Sequence, residues 1–192
     1  MMTKAETRQW LEAQILAEHS KAQTMRIVHW VGYDTDRLEI LMEIFLNDPP
    51  SMPLPAGRGY QYIFTQRSSW AVRYVGEKSP DIIKPWLHIL VAHLRAPNLH
   101  DAIKRNTLNV FEPLDFPAEL DDELADLCFG YLADPKEAIA IRCASMTVLE
   151  KICQRVPELQ SELRLLLKEH LEHGSAGFRS RAKKVLGRLK DQ

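Results

Sequence analysis

The chain has 192 residues, of which 27% are charged and 45% apolar, with 25 Lys and Arg against 26 Asp and Glu. This balance argues against a disordered acidic tail and a generally basic nucleic-acid binder. No run approaches 18 apolar residues, so no spanning helix and no membrane partner are expected. The start, Met1 to Glu6, has no apolar leader and reads as that of a cytoplasmic protein.

Residues 4–18 and 21–33 read as a first helix pair. In 35–47, Leu38, Leu41, Met42 and Phe45 share one helical face, and 61–78 follows as the second helix of that pair. Between them Asn47 to Gly59 holds four prolines and two glycines. That insert cannot be helical throughout. Its Pro50-Ser-Met-Pro53 is formally a PxxP pattern, too common to specify a ligand by itself. The third pair, 80–95 and 98–112, carries the stripe Ile83, Leu87, Leu90, Val91, Leu94. The stripe returns 37 residues on as Leu120, Leu124, Leu127, Cys128, Tyr131, in the pair 117–133 and 136–154. It returns again 39 further on as Leu159, Leu163, Leu166, Leu167, His170, in the pair 157–172 and 176–190. Pro80, Pro117 and Pro157 stand at the starts of these helices, where a missing N–H is harmless.

A second register runs through Arg67, Lys104, Arg142 and Arg179, spaced 37, 38 and 37 apart. Two helices per period of about 37–39 residues predict an all-α, α-α superhelix of five antiparallel pairs, one solenoid domain over 1–192. Such units bury their apolar stripes only by stacking.

The segment Phe178-Arg-Ser-Arg-Ala-Lys-Lys-Val-Leu-Gly-Arg-Leu189 resembles the second helix of a HEAT repeat. Leu132-Ala-Asp134-Pro135, leading to Ile141-Arg142-Cys-Ala-Ser-Met-Thr-Val-Leu149, is similar to a HEAT turn and helix. The whole chain resembles short, single-domain bacterial HEAT-like proteins. The resemblance implies a binding scaffold, and it implies that Asp134 and Arg142 contribute to a ladder between repeats.

Chemistry-bearing motifs are sparse. Cys128, Cys143 and Cys153 are odd in number, hold no CxxC, and read as small buried residues. His170 and His173 lie three apart with no further ligand at a telling distance, so no metal is expected. No GxGxxG, GxSxG or HExxH is present, and neither an enzyme nor a cofactor is expected. Charge is segregated: Glu112 to Pro135 has eight acids and no Lys or Arg, while Ser175 to Gln192 has six basic residues against Asp191. The four tryptophans all lie in the first half. Trp70 and Tyr74 are four apart beside Arg73, a candidate aromatic anchor. The expected function is a non-catalytic scaffold that binds a protein through its inner face, with Trp70, Arg73, Tyr74, Arg179, Arg181 and Lys184 as partner-binding residues. The alternative is nucleic-acid binding through the basic C-terminal helix, in an architecture like that of HEAT-like DNA glycosylases. Self-association through an end unit is a third possibility.

Overall fold

The computed structural model describes residues 2–46 and 60–189. The insert 47–59, with its PxxP, and the terminal 190–192 lie outside the described residues. In chain order the helices are α1 (Lys4–Ala17), α2 (Lys21–Val31), α3 (Thr35–Phe45), α4 (Tyr60–Lys78), α5 (Pro80–Ile83), α6 (Leu87–Leu94), α7 (Asp101–Phe111), α8 (Asp121–Ala133), α9 (Ile139–Arg155), α10 (Gln160–Leu171) and α11 (Ala176–Leu186). No strand occurs among the described residues. No described helix is long and apolar enough to cross a membrane.

Local chemistry sets the helix starts. Thr3 and Glu6 form a reciprocal capping box, with Glu6 Oε2 accepting the Thr3 backbone N–H at 2.7 Å. Ser20, Asp34 and Ser175 cap α2, α3 and α11 through their side-chain oxygens. Several boundaries differ from the periodicity: α8 and α10 open on 3-10 turns at Ala118–Leu120 and Pro157–Leu159, and α11 ends at Leu186 rather than 190. The first helix of the third pair is split into α5 and α6 by a 3-10 turn at Lys84–Trp86, because Pro85 has no N–H to continue the ladder. Its partner α7 begins at Asp101 rather than 98: Asn98 sits at φ 59° and the His100 ring caps the helix. Helix α9 begins at Ile139 rather than 136, because the Asp134 carboxylate accepts the Lys136 N–H at 2.8 Å and holds a turn there.

The pairs stack in two layers. The A layer holds α1, α3, α5–α6, α8 and α10; the B layer holds α2, α4, α7, α9 and α11. Within the B layer, successive helices approach more closely than in the A layer. The sequence explains the difference. Buried small side chains (Ser68, Ala71, Thr107, Ala144, Ser145, Ala182) line the B helices, while Leu41, Leu87, Leu90, Leu124, Leu163 and Leu167 fill the A side. Gly76 takes this furthest, since a Cβ there would stand 3.0 Å from Val110 Cγ1. The B layer is therefore the more closely packed of the two. Bonds one period apart tie the units: Asn106 Nδ2 donates to Ser69 Oγ at 2.9 Å and Tyr131 OH to the Leu94 carbonyl at 3.0 Å.

Candidate binding surface

Three of the four repeated basic positions, Arg67, Lys104 and Arg142, tie neighbouring helices together. Arg67 donates to the Ile15 and Leu16 carbonyls at 3.1 and 3.0 Å, satisfying the open end of α1. Lys104 meets Glu137 at 2.6 Å and lies over the Tyr131 ring. Arg142 donates to the Leu132 carbonyl at 3.1 Å and stacks 4.4 Å from the Phe178 ring centroid. Asp134 caps its own turn, so its carboxylate and Arg142 are not hydrogen-bonded to each other. Arg179 is exposed. The four do not form an equivalent row. Burial instead aligns Gln66, Arg105, Cys143 and Arg181, then Trp70, Asn109, Thr147 and Lys184, then Arg73, Glu112, Lys151 and Arg188. Each row steps by 37 to 39 residues along the open face of the B helices.

Trp70, Arg73 and Tyr74 come together half-buried on α4. The Trp70 and Tyr74 ring centroids are 6.4 Å apart, and the Arg73 guanidinium lies 5.2 Å over Tyr74. His19 meets the Trp70 ring edge-on at 5.7 Å. A cavity of about 240 Å³ opens beside this ring, lined by His19, Gln66, Trp70, Ala102, Arg105 and Asn106.

One carboxylate stands in the middle of the face. Burial pushes the Glu112 carboxyl above its usual range, and Arg181, Arg73, Thr147 and Lys151 act against that rise. Arg181 donates to Thr147 Oγ1 at 2.9 Å, and Lys151 to the Leu114 carbonyl at 2.7 Å. The structure thus brings Arg73 and Arg181 into one electrostatic neighbourhood, with Lys184 one helical turn beyond. Arg179 lies off the line of Arg181, Lys184 and Arg188. Glu112, Arg105, Thr147 and Lys151 escape the sequence reading. Their residue types do not repeat, so only the period applied to open positions would have found them. The Cys143 thiol is raised by burial, with Arg181 and Arg142 opposing, so it is held as the unreactive thiol.

Charge divides by layer. Helices α2, α4, α7, α9 and α11 carry formal charges of +2, +2, +1, +2 and +4. Counted with their 3-10 turns, α1, α3, α5–α6, α8 and α10 carry 0, −2, 0, −5 and −1. The B layer totals +11 and the A layer −8.

Elsewhere, Trp10 and Trp30 pack with centroids 4.7 Å apart at the N-terminal end, and Arg37 covers Trp30 at 5.1 Å. The His170 ring packs edge-on against Phe178. No group of three or more His, Cys, Asp or Glu among the described residues is arranged to hold a metal.

Comparison with curated proteins and with solved structures returns no match. Residues 59–189 match the family model described as a HEAT repeat domain. With most of its length in that match and its helix pairs stacked one period apart, the chain belongs to the HEAT repeat domain family.

Proposed function

We propose that this protein is a non-catalytic scaffold that binds an acidic segment of another protein across its B-helix face. HEAT repeat domains commonly serve as protein-interaction scaffolds. The observation that carries the reading is the open B face, where Arg73, Arg105 and Lys184 stand without an ion pair among the described residues and Arg105 lines the Trp70 cavity. An aliphatic or aromatic side chain of the partner fills that cavity, giving the desolvated anchor that dominates interface energetics. Partner carboxylates meet Arg73, Arg105, Arg181 and Lys184, which steers encounter and fixes register more than it adds affinity. Arg179 contributes to the long-range field only. The mechanism is rigid display of side chains, with no bond made or broken.

The +11 layer also supports a second reading, nucleic-acid binding, in which phosphates replace carboxylates. The two are separated by native pull-down with the immobilised chain, with and without nuclease. A protein retained after nuclease, and lost from a Trp70→Ala/Arg73→Glu variant but not from the outer-layer control Lys84→Glu, supports the scaffold reading. Retention by the double variant, or loss of all partners after nuclease, sinks it.

A further inference from the structure

Gly130 lies in the interior of α8, where glycine weakens a helix relative to alanine. Neither backbone nor packing calls for it. Among the described residues the one glycine with positive φ is Gly32. A Cβ at Gly130 would meet no heavy atom within 4 Å, in contrast to the crowded Gly76 and Gly174.

Gly130 is exposed and lines an outward groove of about 350 Å³ between α8 and α10. Phe129, Leu165 and Leu166 wall it, and Leu165 is 70% exposed. Glu162 and Glu169 stand seven residues apart along the α10 rim, about 10 Å by helical rise. Both are exposed, and neither forms an ion pair among the described residues. The facing helix α8, with its leading turn, carries −5, of which Asp121 is paired with Arg155 and Glu123 and Asp126 with Arg95, leaving Glu119 and Asp122 without an ion pair among the described residues. The groove is thus an apolar slot with carboxylates along its α10 rim, on the layer opposite the B face. It is built from two helices whose backbones are bonded internally, so it offers no strand edge for an extended peptide. It suits an incoming helix, whose recognition needs apolar teeth and flanking charge only.

We infer that this groove docks a basic amphipathic helix of a partner protein, with one apolar side chain entering over Gly130 and Lys or Arg side chains meeting Glu162 and Glu169. The charge on the rim selects the sign of the partner, and the missing side chain at Gly130 sets how deeply it seats.

The test uses the full chain and a labelled 18-residue helical peptide with Leu at a helical spacing and Lys at the flanking positions, read by fluorescence anisotropy. The same peptide with every Lys replaced by Glu is the control. The Lys peptide binds, the Glu peptide does not, and Gly130→Leu and Glu162→Lys/Glu169→Lys each weaken binding tenfold or more. Gly130→Ala, which replaces a helix-interior glycine, raises the thermal midpoint by about 1–3 °C. The midpoint of Gly130→Leu matches or exceeds the wild type, so its loss of binding is not unfolding. Failure of the wild type to bind, equal binding of the Glu peptide, or indifference to Gly130→Leu overturns the inference. So does a dimer in sedimentation velocity that Gly130→Leu dissolves, since the groove would then hold a second copy. Arg73→Glu/Arg181→Glu leaves the Lys peptide bound, so failure of the B-face reading is distinguishable from failure here.

Discussion

His93 shows how a single side chain ties this fold to pH. Both of its ring nitrogens are buried without a hydrogen-bond partner, and the ring meets Phe45 edge-on at 5.1 Å. Burial holds its pKa below the ordinary 6.5, because the charged form would have to leave water without compensation. As pH falls below 6.5 the unfolded chain takes up a proton that the folded chain refuses, so stability drops with pH in that window. Urea unfolding at pH 7.5, 6.5 and 5.5 should show this loss. His93→Leu should flatten that part of the profile, and an unchanged slope would rule His93 out as its source. The same scale shows why charged residues mislead a repeat reading. Arg67, Lys104 and Arg142 recur at one spacing, yet they reach a carbonyl pair, a glutamate and a single carbonyl respectively. A long flexible side chain finds a partner from several faces of a helix, so its spacing does not fix its row.

At the scale of elements, the close contact of α4 with α7 depends on what is absent. Gly76 faces Val110, which is fully buried and β-branched and so has little freedom to move aside. Gly76→Val should destabilise the protein by about 1–3 kcal/mol through overpacking. In the Val110→Ala background the same substitution should cost clearly less, as read by urea denaturation of the four proteins of a double-mutant cycle. Additive costs would mean that the two residues are not the contact that limits helix approach. The helices themselves were legible in the sequence because a stripe at helical spacing needs only local geometry. Their starts were legible where a cap or a proline stands in sequence, as at Ser20, Asp34 or Pro80. The α9 start was missed because the Asp134 turn competes with the helix for the same backbone.

At the scale of the molecule, a net charge of −1 conceals layers of opposite sign. The B face is basic enough to attract an anionic segment, and the A layer is acidic where the α8–α10 groove lies. Nearest-neighbour stacking also bears on cooperativity. The buried apolar residues form one continuous cluster from Leu11 to Leu189, so the stack should unfold as a unit. Trp10, Trp30, Trp70 and Trp86 report on the first three pairs, whereas far-UV circular dichroism reports on every helix. The two urea transitions should coincide. A tryptophan transition displaced from the circular-dichroism one would divide the chain into separately folding parts.

The sequence by itself determined the class of the molecule: a helix-pair period of 37 to 39 residues, the apolar stripes, and the HEAT likeness. Those features are local or translational, so they survive in one dimension. Tertiary structure decided which side faces what. The closer packing of the B layer follows from small side chains meeting across its helices. Glu112 gains its setting only when three other helices bring Arg73, Thr147, Lys151 and Arg181 around it. The opening above Gly130 exists only because α10 lies beside α8 without filling it. Surfaces are properties of neighbours, and neighbours here lie a full repeat apart.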